Sequence, residues 1–152
     1  MHRTVILLVA AGLVAFGITA WASSAQTGQT EQTGPALIRI TTQQTRYAHV
    51  GGGPGSDEII RAKLYNKKIT KTAIGRGEMV CTFTFGRART CTATYFLAQG
   101  KIIVGGSISN RDIYELAIQG GTGLYNNARG SFTAIRTHRS PRREFLIFRL
   151  AG

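Results

Sequence analysis

Residues from Leu37 onward alternate between apolar and polar side chains in short runs, the period of half-buried β-strands rather than of helices. The runs fall at Leu37–Gln43, Ile59–Tyr65, Glu78–Phe85, Thr90–Leu97, Lys101–Ser107, Ile113–Gln119, Ser131–Thr137 and Glu144–Leu150. Breakers separate them: Gly51-Gly52-Gly53-Pro54-Gly55, a lysine-rich stretch from Asn66 to Gly77 with Gly75 and Gly77 as turn residues, and the glycines at 120–123. The clearest hairpin is the third and fourth runs. A three-residue loop Phe85-Gly86-Arg87 sets Thr84 against Ala88 and Cys81 against Cys91. Cys81, Phe83, Cys91, Ala93, Tyr95 and Leu97 then share one apolar face, and Thr82, Thr84, Thr92 and Thr94 share the other. Eight short strands with local connections predict an all-β fold, an eight-stranded antiparallel up-and-down β-barrel. An interior of that size is filled by side chains or holds one small ligand.

The N-terminus does not fit this pattern. His2 and Arg3 precede an apolar run, Val5 to Ile18, and Ala20-Trp21-Ala22 or Ser23-Ser24-Ala25 offers a small-residue cleavage site. Residues 1–25 therefore read as a secretory signal peptide, the alternative being a retained anchor. Residues 26–36 are polar with glycine and proline and read as a flexible linker. Residues 37–152 are the domain, expected to be secreted. In that compartment two cysteines facing each other predict one disulfide, Cys81–Cys91.

Charge adds a further constraint: 19 Lys and Arg stand against 7 Asp and Glu in 152 residues. The densest basic group, Arg136 to Arg143, falls between the last two strands. It reads as a solvated hairpin tip that can meet an anionic polymer or membrane surface. No nucleic-acid-binding motif accompanies it, so nucleic acid is not an expected partner.

Candidate chemistry is sparse. His2, His49 and His138 have no metal-ligand spacing, so no metal is expected. There is no Ser-His-Asp set, no nucleotide fingerprint and, after Gly120–Gly123, no Lys-Ser/Thr of a phosphate loop. No cofactor is expected. Glu115 shares parity with Ile113 and Ala117, opposite the bulkier Tyr114, Leu116 and Ile118, and should face outward.

The most distinctive stretch is Gly120-Gly121-Thr122-Gly123-Leu124-Tyr125-Asn126-Asn127-Ala128-Arg129-Gly130, a glycine-dense connection between two strands. By residue type, Gly120, Gly121, Thr122, Gly123 and Gly130 form a structural corner. Arg129 can either tie that corner to backbone carbonyls or orient an anionic ligand group. The pattern GGTGxYxxARG, followed by a strand at Phe145-Leu146, resembles the signature of dirigent proteins and the allene oxide cyclase barrel superfamily over roughly residues 36–150. The resemblance implies the same barrel, a tendency to form homo-oligomers, and a pocket lined by acids, an arginine and tyrosines. Arg129 matches the arginine of ARG. Asp57 is the candidate acid, although the family's Gly-Asp and Leu-Tyr-Asp stand here as Gly55-Ser56-Asp57 and Leu64-Tyr65-Asn66. Tyr65 and Tyr95 are the candidate tyrosines.

The expected function is to bind a small, largely apolar or phenolic molecule, with steering of its cyclisation or coupling without a cofactor. Such steering needs a shaped, water-excluding pocket and few polar groups. The alternative is a filled, non-catalytic barrel that contacts an anionic surface through its basic hairpin. Cavity volume and convergent polar groups separate the two.

Overall fold

The computed structural model describes residues 37–137 and 140–151. The proposed leader and linker, together with His138 and Arg139 of the basic run, lie outside the described residues. Eight strands follow in order: β1 (Leu37–Val50), β2 (Asp57–Tyr65), β3 (Gly75–Phe83), β4 (Arg89–Leu97), β5 (Gly100–Ile108), β6 (Ile113–Gly123), β7 (Arg129–Thr137) and β8 (Arg143–Ala151). Each pairs antiparallel with its sequence neighbours, and β1 pairs with β8 to close the barrel. Closure leaves no exposed sheet edge, which answers the hazard that eight short strands would otherwise present.

The hairpin register stands as the alternation predicts. Cys81 lies opposite Cys91, the two are bridged, and Thr84 N–H donates to Ala88 O at 3.0 Å. The disulfide is inside the barrel beside Met79, Ala93 and Val104, all buried. The centre is aromatic: the rings of Tyr95, Phe132 and Phe148 lie 5.0–5.3 Å apart in tilted and edge-on arrangements. Ile40, Leu64, Ile102 and Leu146 fill the space around them. Each such side chain contributes about 1.5–3 kcal/mol through removal from water. The middle of the barrel is therefore a packed core.

Four details differ from the sequence reading. β1 continues to Val50 instead of stopping at Gln43, because a register shift between Gln44 and Arg46 lets it stay paired with β2. Gly75 and Gly77 belong to β3, not to a turn: a Cβ at Gly75 would lie 2.1 Å from the Phe96 carbonyl oxygen, so glycine is there for close strand approach. Gly120–Gly123 likewise continue β6, and the turn itself is Leu124–Ala128. A Cβ at Gly121 would meet the carbonyl oxygens of Tyr125 at 2.3 Å and Lys101 at 2.6 Å, so the strand is pressed against both its neighbour and the turn that follows. Finally, Arg136 is not part of a solvated tip. It is the last inward residue of β7 and is 9% exposed.

Antiparallel alternation gives the barrel two unlike ends. One end, hereafter the motif end, gathers the start of β1, the β2–β3, β4–β5 and β6–β7 turns, and the close of β8. The opposite end, the mouth, gathers the β1–β2, β3–β4, β5–β6 and β7–β8 connections.

Candidate functional site

The inward rows of several strands are apolar through the barrel and end at the mouth in a charge. In β2 the row Leu64, Ala62, Ile60 ends at Glu58; in β4, Tyr95, Ala93, Cys91 ends at Arg89. In β7, Phe132 and Ala134 end at Arg136; in β8, Phe148 and Leu146 end at Glu144. Strand parity thus delivers two carboxylates and two guanidiniums to the inside of one rim.

They pair. Arg89 Nη1 donates to Glu58 Oε2 at 2.5 Å, with side chains only 3% and 7% exposed. Arg136 Nε donates to Glu144 Oε1 at 2.7 Å. Each pair also takes a tyrosine: Tyr47 donates its hydroxyl to Glu58 Oε1 at 3.0 Å, and Tyr114 donates to Glu144 Oε2 at 3.4 Å. The Glu144 backbone N–H donates to Thr42 Oγ1 at 3.2 Å, fixing the head of β8 to β1. Buried charges persist only when partnered in this way.

The environment sets the protonation states. Burial, then the Glu144 charge, pushes the Tyr114 hydroxyl far above its ordinary value. Burial and the hydrogen bond to Glu58 raise Tyr47. Both phenols are therefore protonated, donating groups at neutral pH. Burial lowers Arg89 from the ordinary guanidinium value, against the pull of Glu58. Burial acts the same way on Arg136, but the Glu144 charge and hydrogen bond, with Tyr114 and Glu58, together more than offset it and the net direction is upward.

Above these pairs opens a cavity of about 530 Å³ lined by Gln44, Tyr47, Arg111, Asp112, Arg136 and Arg142, with Thr137 and Ser140. Three arginines face one aspartate on its wall. The Oε1 atom of Gln44 is buried and accepts no hydrogen bond among the described residues. Arg111, on the β5–β6 connection, also places its guanidinium 5.8 Å from the Phe83 ring centroid. It thereby joins the cavity to a neighbouring surface depression around Phe83 and Arg87.

The four sequence candidates do not come together here. Arg129 is exposed at the motif end, where its Nη1 donates to the carbonyls of Gln119 at 2.8 Å and Ala128 at 3.0 Å; it ties the corner. Asp57 is at the mouth but one residue out of phase with the interior, accepting from Thr82 Oγ1 at 2.6 Å; the acid that turns inward is its neighbour Glu58. Tyr65 is buried at the motif end. Tyr95 is fully buried in the central aromatic cluster, its hydroxyl pushed well up by burial. Glu115 faces outward, as its parity predicts, and accepts from Thr133 Oγ1. Tyr47, Glu58, Arg89, Arg111, Tyr114, Arg136 and Gln44 were not singled out as ligand-binding residues in the sequence. The signal available for most of them was a charge or tyrosine in phase with an apolar strand row.

No protein-family model matches the chain, and no curated protein sequence matches it. Solved structures do match. A pyocyanin demethylase superposes with a TM-score of 0.62 at 20% identity, covering 74% of this chain and 99% of that one. AbnU, an exo-specific intermolecular Diels-Alderase, gives 0.63 at 15% identity, covering 76% and 97%. A pterocarpan synthase dirigent protein gives 0.63 at 14% identity, covering 87% and 96%. The likeness is one of fold: the chain has the dirigent-type eight-stranded barrel, which these proteins put to different chemistry.

Proposed function

We propose that the protein binds a small molecule carrying hydroxyl and acidic groups, phenols among them, at the mouth of the barrel, and steers a cyclisation or coupling of it. The observation that carries this reading is the convergence of two buried Arg–Glu pairs, each with a tyrosine hydroxyl on its carboxylate, beneath one arginine-rich cavity. Arg111 and Arg142 attract and orient an anionic group, and the unpaired Gln44 Oε1 accepts from a ligand hydroxyl. Tyr47 faces the cavity with Glu58 behind it. Its one hydroxyl proton goes to Glu58, so its oxygen accepts from a ligand hydroxyl and Glu58 keeps it aimed. Arg136, held by Glu144, presents a fixed positive charge beside it. Holding one conformer of a reactive molecule in this frame needs no group beyond the chain's own side chains.

The filled barrel centre supports a ligand position at the rim rather than along the axis. That same packing favours the second reading, a non-catalytic barrel that contacts an anionic surface through its basic hairpin. We also assign the protein to an extracytoplasmic compartment, which the Cys81–Cys91 bridge supports.

The test is mass spectrometry of small molecules that co-purify with the protein from its own host, followed by titration with a panel of phenols, aryl acids and fatty acids. The expected result is a stoichiometric passenger or a panel hit bearing an acid or hydroxyl, with binding lost in Arg111→Gln and Tyr47→Phe. No passenger and no response across the panel would overturn the reading in favour of the filled, non-catalytic barrel.

A further inference from the structure

Every lysine of the chain lies toward the motif end. Lys67, Lys68 and Lys71 are on the β2–β3 connection, Lys63 is near the end of β2 and Lys101 is at the start of β5; all five are exposed. Arg39, Arg76, Arg129 and Arg149 join them. The strand segments of that half and their turns, residues 37–41, 63–77, 95–103, 116–131 and 148–151, contain no acidic side chain. All six carboxylate side chains of the described residues, from Asp57 to Glu144, sit at mid-strand or at the mouth. There they balance eight arginines of the described residues, the two buried partners included. The motif end therefore carries nine cationic side chains, of which Arg76 also reaches Glu78 at 3.7 Å, and most of the excess charge of the described residues.

Aliphatic surface lies among these cations. Leu37 is 47% exposed and Ile74 is 43% exposed. Beside them a crevice of about 270 Å³ is lined by Ile38, Ile40, Ile74, Leu97 and Tyr125. Lysines around exposed aliphatics suit a lipid interface: the flexible stems lie along apolar surface while the ammonium groups reach headgroup phosphates. A polyanion without apolar content would gain nothing from Leu37 and Ile74. Among the described residues the Phe96 ring on this face is covered by Arg76 at 4.1 Å and by Lys101 at 5.3 Å, and Tyr65 and Tyr125 are buried, so none of these rings is bare for base stacking. The chain also enters the barrel at this end, at Leu37, and the apolar run Val5–Ile18 lies upstream of that entry.

We infer that the motif end is a membrane-docking face for anionic phospholipid headgroups. It seats the barrel on a bilayer with its mouth pointing away, open to soluble ligand. This is a different surface from the β7–β8 hairpin, whose Arg136 is turned inward and paired. It also stands independently of what the mouth binds.

The test is flotation of the full chain with vesicles of phosphatidylcholine alone and of phosphatidylcholine with phosphatidylglycerol. The comparison between the two removes any contribution of the N-terminal run to neutral lipid. Anionic vesicles should bind the chain at least about a hundredfold more tightly than neutral ones. Lys67→Ser/Lys68→Ser/Lys71→Ser should lose most of that margin, about a hundredfold in affinity if each lysine acts near the surface. These side chains are exposed on a loop, so the barrel's melting temperature should not move. Ile74→Ser should weaken anionic binding several-fold while leaving its salt dependence unchanged. The mouth variant Arg87→Ser/Arg142→Ser should bind as the parent does. Equal binding to both vesicles, an unaffected triple variant, or loss in the mouth variant would each overturn the inference. So would heparin binding as tight as vesicle binding with no effect of Ile74→Ser, which would make the face a polyanion site.

Discussion

Replacing Arg89 by methionine removes one half of a buried ion pair and leaves the volume nearly intact. Glu58 is then 5% exposed with a single remaining donor, the Tyr47 hydroxyl. A carboxylate stranded in this way costs about 3–5 kcal/mol, because its desolvation is no longer compensated. For a barrel of this size that corresponds to a fall of about 10–20 °C in Tm. The structure supplies its own control. The Arg61–Glu78 pair has nearly ideal geometry at 3.0 Å, but its side chains are 53% and 39% exposed. Arg61→Met should therefore cost under about 1 kcal/mol. A third variant, Glu58→Met/Arg89→Met, removes both charges and should recover most of the loss, since apolar replacement of a whole buried pair is close to neutral. The assay is urea unfolding followed by tryptophan-independent far-ultraviolet circular dichroism, with the disulfide intact in all samples. If Arg89→Met costs no more than Arg61→Met, water reaches the pair freely. The low-dielectric frame invoked for the mouth would then fail with it.

Alkaline pH should destabilise the barrel through Tyr114. Its folded-state value is raised above the ordinary 10.0, so the folded state holds a proton that the unfolded state releases; stability is flat below pH 10 and falls above it. Tyr114→Phe should make the fall in Tm above pH 10 shallower without abolishing it, because Tyr95 is raised in the same direction. Gly130→Ala should cost at least about 2 kcal/mol in thermal melts, from a positive φ of 132° and a Cβ placed 2.0 Å from the Arg149 carbonyl oxygen, whereas Gly52→Ala, with open space around it, should be near neutral. Removing the disulfide with Cys81→Ala/Cys91→Ala closes no new contact and opens a loop of sequence separation 10, so it should cost about 2–3 kcal/mol while the barrel still folds.

The strands and the hairpin register were legible because one face of each strand is buried, and a slip of one residue would expose every apolar side chain on it. The disulfide followed from that register together with the expected compartment. The site was harder to read for the same physical reason. A barrel's inward rows are recognised by being apolar, so the few polar residues that stand in phase with them look like exceptions at strand ends. Arg89 precedes Cys91, Ala93 and Tyr95 with the right parity, and Glu144 precedes Leu146, Phe148 and Leu150. Taken one strand at a time, each reads as a strand-flanking charge. Continued inward, those rows put both charges inside the rim, where a charge must find a partner. Two opposite charges arriving from different strands are enough to predict a pair.

The glycine-rich motif drew attention for its density, and its chemistry is that of backbone proximity. Gly121 admits the Lys101 and Tyr125 carbonyls, Gly130 admits that of Arg149, and Arg129 caps two more. All of these contacts join strand to strand or strand to turn at the end of the barrel opposite the mouth. A conspicuous motif here secures the fold at one end and leaves the other free to hold charge. The two ends are then separable by mutation: changes at the glycines should act on stability without moving ligand preference, and changes at Arg111 should do the reverse. The motif end can still present its lysines, because they stand on the β2–β3 connection and on strand exteriors, outside the glycine contacts that close the barrel.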